Sequence, residues 1–175
     1  DRLFHWAAWA DKYDGAVHSV PIRGVALAMH EPMGVIGIAA PDEAPLLGFL
    51  SLVAPAIAFG NRVVALPSAH QPLAALDMYQ VFETSDLPGG VVNIVTGNRD
   101  ALTRTLTEHG NVDAMWYFGS SEGSAMVEAA STGNLKRTWV NDGMARDWFD
   151  ATQGAGCEFR RAATQVKNIW VPYGE

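Results

Sequence analysis

Short apolar runs spaced by helical stretches constrain this chain more than any other feature. Val35-Ile36-Gly37-Ile38 shows no polar alternation, which is the pattern of a parallel strand covered on both faces. Residues 63–66, 91–95, 114–118 and 137–140 repeat the theme. Between them the sequence predicts helices over 44–59, from Pro72 through Leu76 and Gln80, around Leu102 and Leu106, and over 121–130. Pro72 suits a first helical position, and Leu87-Pro88-Gly89-Gly90 reads as a turn. Gly60-Asn61 turns the chain into the second strand, and Pro67-Ser68 ends it. This strand–helix rhythm implies an α/β, Rossmann-like parallel sheet covered by helices on both faces.

The flanks depart from the rhythm. Leu3, Trp6, Ala7 and Ala10 form one helical stripe that Asp14-Gly15 ends. Residues 18–22 and 25–30 read as a hairpin around Arg23-Gly24, inserted at about 16–30. Residues 151–156 read as a Gly-rich linker and 158–163 as one or two helical turns. The tail alternates Val166, Asn168 and Trp170 with Lys167, Ile169 and Val171 up to Tyr173. That is a strand without a sequential partner, free to pair with the hairpin, with another chain, or with both. The expected organisation is a Rossmann-like domain over 1–150 followed by linker and strand over 151–175.

Composition narrows the function classes. An apolar share of 49% over 175 residues is enough for a substantial core, and no run reaches the roughly 20 residues of a membrane helix. Net charge of −7 without a Lys/Arg cluster argues against nucleic acid and anionic membranes as partners. The one cysteine, Cys157, forbids an internal disulfide and points to a reducing, cytoplasmic setting. The start at Asp1, with no Met and no signal pattern, suggests a piece of a longer polypeptide.

Several blocks share a likeness. Gly60-Asn61-Arg62-Val63-Val64-Ala65-Leu66-Pro67-Ser68 resembles the cofactor-binding strand, close to GNTVVLKPSE, of the NAD(P)-dependent aldehyde dehydrogenases. Glu31-Pro32-Met33-Gly34-Val35-Ile36-Gly37 resembles their EPxGVVG strand, and residues 87–97 their LPPGVVNVVTG. Tyr117-Phe118-Gly119-Ser120-Ser121-Glu122 resembles FTGSTE, and Gly133-Asn134-Leu135-Lys136 precedes the place of ELGG. The blocks keep the family's order from about Leu3 to Gly143, and residues 163–170 resemble its C-terminal oligomerisation strand. The family's catalytic subdomain has no room between them. The combination resembles the second, non-catalytic copy in the two-copy, class-sixteen aldehyde dehydrogenases.

The resemblance implies which side chains the family's chemistry would need, and they differ here. The oxyanion donor falls on Glu43, whose carboxylate has no proton to give; losing one such donor costs about 3–4 kcal/mol elsewhere. The general base falls on Asn141, an amide, with Asp142 beside it on a segment expected to be extended. Asp42 and Glu43 are otherwise expected near a helix N-terminus, where carboxylates are favoured. The ribose-binding Lys and Glu fall on Leu66 and Ala69. Gly119 and Ser120 keep a helix start that suits an anion, although an ordinary strand-to-helix turn is the favoured reading, with Phe118 expected to fill the crevice. Cys157 follows a faint echo of the family's nucleophile block without an identifiable base. The five histidines lack metal-ligand spacing.

Three functions follow as alternatives. The first is a non-catalytic domain that serves assembly in a larger aldehyde oxidoreductase. Its partner is a second copy or the parent's catalytic copy, through Val166, Ile169, Trp170, Val171 and Tyr173. No cofactor is expected for this chain, while NAD or NADP belongs to the parent. The second is a degenerate nucleotide- or anion-binding module at Gly119 and Ser120. The third is an active dehydrogenase fragment using Cys157.

Overall fold

Behind the helix α1 (Arg2–Ala7) the chain makes an antiparallel pair, β1 (Ala16–His18) and β2 (Gly24–Pro32), and then enters a second sheet. The computed structural model describes residues 1–172. The apolar runs become β3 (Val35–Ala39), β4 (Arg62–Leu66), β5 (Val92–Ile94), β6 (Ala114–Tyr117) and β7 (Arg137–Val140). All five are parallel, in the order β5-β4-β3-β6-β7. The chain runs outward from β3 through β4 to β5, then returns to β6 on the other side. The C-terminal ends of β3 and β6 therefore flank a topological switch point, where open α/β sheets bind ligands.

Helices cover both faces. On one lie α2 (Pro45–Ala58), α3 (Leu73–Leu76) and α4 (Met78–Glu83); on the other lie α5 (Arg99–Glu108) and α6 (Ser121–Ala130). Ile36, Ile38, Val63, Ala65 and Trp116 meet Phe49, Leu52 and Val53 of α2 in the larger core. Met115 and Tyr117 point the other way, toward Val127, Leu102 and Leu106. Burial of each large aliphatic or aromatic side chain contributes on the order of 1.5–3 kcal/mol.

The last segment adds α7 (Ala151–Ala155), α8 (Cys157–Ala163) and β8 (Thr164–Pro172). β8 pairs with β2 along nine residues, from Gly24↔Pro172 to Pro32↔Thr164, so the small sheet runs β1-β2-β8. The architecture is a Rossmann-like parallel sheet with helices on both faces, plus a small antiparallel sheet built from the hairpin and the tail.

Four details differ from the sequence expectation. The helix from Leu3 gives way after Ala7 to tight i→i+3 turns, such as Lys12 N to Trp9 O. The first hairpin strand lies at 16–18, leaving Pro21, which has no N–H for the ladder, in the connection. The helix after Pro72 is two short ones: Pro72 is the N-cap, and a tight bond from Gln80 N to Asp77 O interrupts the regular ladder. The stretch read as a linker at 151–156 is helical. Asp150 caps it by accepting from Thr152 and Gln153 N–H at 2.9 and 2.7 Å. Gly154 is there for space, since a Cβ would strike Trp148 O and the Arg2 guanidinium.

One side chain joins the two sheets. Asn61, 1% exposed, accepts from Gly34 N–H at 3.0 Å and donates to Ala56 O at 2.8 Å and Ala163 O at 2.9 Å. It thus ties the start of β3, the end of α2 and the junction of α8 with β8. Asn61→Ala leaves Gly34 N–H and Ala163 O without that partner, while Ala56 O keeps the backbone N–H of residue 61 at 3.1 Å, and an unsatisfied buried group costs about 1–3 kcal/mol. We expect a loss of about 2–4 kcal/mol in urea unfolding, with an unchanged m-value. A loss below about 0.5 kcal/mol would show the joint to be dispensable.

Candidate functional site

The C-terminal ends of the strands form a crevice of about 470 Å³, bordered by Asp42, Asn98, Arg99, Tyr117, Gly119 and Ser120. Each loop at this end contributes one group. Asp42, after β3, accepts from Ser68 Oγ at 2.7 Å and Ala69 N–H at 3.0 Å, both after β4. His70 Nδ1 lies 3.3 Å from the same carboxylate. Arg99, the first residue of α5, reaches across with one Nη 3.1 Å from Asp42 Oδ2 and the other donating to Phe118 O at 2.8 Å. Its guanidinium carbon lies 5.5 Å from the centre of the Tyr117 ring.

Asp42 titrates below its ordinary range. Burial pushes it up, but the Ser68 hydrogen bond, the Arg99 charge, the His70 contact and the Ala69 amide outweigh that. Asp42 and Glu43 lie just before the N-terminus of α2 as expected; the cap position itself is taken by Ala44 with φ 48°, and Glu43 is exposed on the turn. The other buried ionic group of note is Lys136, at the opposite end of the sheet. Its Nζ donates to His109 O at 2.8 Å and Val112 O at 2.6 Å. Burial lowers its pKa, and the Asp113 charge partly opposes this.

Gly119 and Ser120 sit at the start of α6. Gly119 N–H donates to Asn141 Oδ1 at 3.0 Å, and Ser120 N–H to the Tyr117 hydroxyl at 3.3 Å. Ser120 Oγ accepts from Gly123 N–H at 3.1 Å as the N-cap. Tyr117 lies so close over this turn that a Cβ on Gly119 would stand 2.6 Å from its hydroxyl, and one on Gly123 would overlap it. Tyr117, not Phe118, therefore lines the crevice. Alternation along β6 sends Phe118 to the opposite face, where it meets Trp139 and Trp148.

The remaining sequence candidates are dispersed. Asn141 also donates to Met144 O at 2.9 Å. Asp142 is not extended: it and Gly143 have φ of 52° and 73° in a tight turn closed by Met144 N–H on Asn141 O. Leu66 is buried, Ala69 is exposed, and Cys157 is an exposed thiol at the start of α8. Among the described residues no three His, Cys, Asp or Glu side chains converge as metal ligands. No described helix is long and apolar enough to cross a membrane.

The small sheet offers a different surface. Val166, Trp170 and Val171 are 54%, 56% and 47% exposed, Ile169 is half-buried, and Tyr173 lies outside the described residues. On one face Val17, Leu27 and Ile169 form a band across all three strands, flanked by Val25 and Val171. A diagonal ion pair, Lys167 to Glu31 at 2.9 Å, lies beside it.

The sequence model of the aldehyde dehydrogenase family matches residues 1–145. The chain belongs to the aldehyde dehydrogenase family. An aldehyde dehydrogenase of Agaricus bisporus is 36% identical over 140 residues, 79% of this chain and 28% of that protein. A betaine aldehyde dehydrogenase variant of Staphylococcus aureus, solved with NAD+, is 26% identical with a TM-score of 0.75, over 79% of this chain and 28% of that one. PnpE of Pseudomonas sp. WBC-3 is 26% identical with a TM-score of 0.76, over 91% of this chain and 36% of that one. The chain thus spans little more than a quarter of the length of the curated aldehyde dehydrogenases it matches.

Sequence reasoning passed over Arg99. A cation at a helix start opposes the macrodipole by about 0.3–1 kcal/mol, so a nearby carboxylate was the available signal. Because Asp42 is held below its ordinary range, its contribution is present above the unfolded carboxylate pKa near 4 and is lost as pH falls through the folded value. We expect Asp42→Asn to lose about 0.5–1.5 kcal/mol at pH 7, a modest figure because Asp42 is partly exposed. Thermal melts should show the gap to wild type closing below about pH 4. A gap that persists unchanged at pH 2.5–3 would remove the ionic role.

Proposed function

We propose that this chain is a non-catalytic aldehyde-dehydrogenase-like domain that serves assembly within a larger aldehyde oxidoreductase of the cytoplasm. The observation that carries the proposal is the β1-β2-β8 sheet, which presents apolar side chains on both faces and β8 as a long edge. An exposed strand with Val, Ile and Trp is poorly suited to remain unpartnered. The partner is a second copy or the catalytic copy of the parent, met through Val166, Ile169, Trp170 and Val171, with Tyr173 next in sequence.

The chemistry of the crevice supports a non-catalytic role. Glu43 stands where the family places its oxyanion donor, and Asn141 where it places its base. The Asn141 amide is engaged with Gly119 N–H and Met144 O, a structural task for which an amide is suited. A dinucleotide does not fit the residues present. Leu66 and Ala69 offer no hydrogen bond to a sugar hydroxyl, the N–H groups of Gly119 and Ser120 already have partners, and Tyr117 covers the glycine turn. NAD or NADP then belongs to the parent protein. Residual anion binding at Gly119 and Ser120 is the less favoured reading for the same reason.

Size-exclusion chromatography with light scattering should find the chain self-associated, or bound to a catalytic copy when one is supplied. Trp170→Lys should weaken that association at least about tenfold without lowering the melting temperature, because this side chain is more than half exposed. NADH formation from NAD and an aldehyde should stay at background. A monomer that ignores the catalytic copy, or measurable turnover, would overturn the proposal.

A further inference from the structure

We propose that β8 pairs edge to edge with β8 of a second copy of this chain, antiparallel and centred on Asn168, so that two small sheets become one continuous sheet. The pairing rests on the assembly role proposed above and names its partner and its register. Parity along β8 decides which backbone groups are free for it. In an antiparallel pair, residues that bond their partner alternate with residues whose N–H and C=O point away. Pro32 and Pro172 have no N–H to give, and both stand at even-numbered positions of the β2–β8 register. Thr164 O, also even, turns from β2 to accept from Arg137. Val171 O, odd, faces β2, where a Cβ on Gly24 would stand 3.1 Å from it. Ala28, opposite Asn168, points its carbonyl toward β1, where a Cβ on Gly15 would strike it. Val166, Asn168 and Trp170 therefore direct their N–H and C=O to the open edge of the sheet.

The antiparallel self-pairing centred on Asn168 uses all of these groups. It sets Asn168 against Asn168 of the second copy and Val166 against Trp170, each facing pair exchanging two bonds. The ladder ends where the chain has nothing more to offer. Pro172 lacks a donor, and the Thr164 carbonyl that would face it is already held by Arg137. A register moved toward the C-terminus strands the Val166 carbonyl against Pro172. One moved the other way brings the second copy onto Thr164, which is 6% exposed and packed on the body of the domain. The side chains follow the same symmetry. Val166 and Trp170, 54% and 56% exposed, lie two residues to either side of Asn168 on one face, so the two-fold covers each with the other. The Asn168 amides, donor and acceptor at once, meet at the axis. On the other face Lys167 falls opposite Ile169, and its charge stays with Glu31 at 2.9 Å.

The test is thiol cross-linking of the full chain in a Cys157→Ser background, which removes the native thiol. The register puts the two copies of position 168 directly opposite each other, about 5.5 Å apart. It separates the two copies of position 165 by about 20 Å along the strand. A bismethanethiosulfonate that spans only neighbouring strands should link Asn168→Cys into dimers at least about tenfold more than Gln165→Cys. Asn168→Pro removes an N–H that β2 does not use, so it should melt like wild type while light scattering finds self-association weakened at least about tenfold. If that variant does not melt cooperatively, cross-linking decides alone. Equal linking at the two positions, no linking at 168 in a self-associated chain, or undiminished association of folded Asn168→Pro overturns this pairing and leaves the assembly role standing. A chain that is monomeric alone yet binds the catalytic copy does the same, and a monomer that ignores that copy removes both. NADH formation by a dimer linked at 168 would do the reverse, ending the non-catalytic reading while the pairing survives.

Discussion

A buried amide, Asn61, holds the junction between the small sheet and the larger one. Asn61 hydrogen-bonds the strand leaving the small sheet, the helix that follows it, and the tail that returns. An aliphatic side chain would fill its volume yet leave Gly34 N–H and Ala163 O short of a partner, while Ala56 O would keep only the backbone N–H of residue 61. Neighbouring contacts reinforce the joint without replacing it. Arg137 donates to Thr164 O at 2.7 Å, and Thr164 Oγ donates to Arg160 O at 2.9 Å. Nine paired residues of β2 and β8 then inherit the orientation set at their base.

The two ends of the parallel sheet are held by different physics. Near the start of β7, Lys136 and Asn134 tie backbone carbonyls of Gly110 and Val112 with neutral or singly charged donors. At the other end an ion pair and an aromatic ring occupy the crevice. A partly exposed pair such as Asp42 and Arg99 contributes roughly 1 kcal/mol or less by itself. Its larger effect is geometric, because it links the four loops that follow β3, β4, β5 and β6. Asn141, Ser120 and Asp42 each satisfy a backbone N–H at this end of the sheet.

Most of the fold was legible because periodicity records burial. Residues 121–130 and 137–140 were read at their observed limits, since polar caps and apolar runs coincide there. Misreadings arose where a contact distant in sequence decides. Gly154 looked like flexibility but provides clearance for Trp148 and Arg2. Phe118 was expected in the crevice because size was weighed without strand parity, which assigns that place to Tyr117. Asp142 was expected on an extended segment, whereas an Asp-Gly pair favours the positive φ values it adopts. Arg99 was passed over because its partner Asp42 lies 57 residues away.

The segment after β7 shows how a family scaffold stays closed in a short span. The polypeptide turns at Asp142-Gly143 and within a few residues places Arg146 among the rings of Phe118, Trp139, Trp148 and Phe159, at 5.4–5.6 Å from each centre. A guanidinium so surrounded loses hydration, and ring faces return only about 0.5–2 kcal/mol each. The balance is met by Glu158 and by the Gln153 carbonyl at 2.6 Å, both supplied by the same segment. Arg146, Glu158, Trp148 and Phe159 come from this segment, while Phe118 and Trp139 come from the parallel sheet, so the cluster assembles where α7 and α8 lie against that sheet. The same segment adds Phe159 and Ala163 to the larger core, and it delivers Ala163 to Asn61 and β8 to β2.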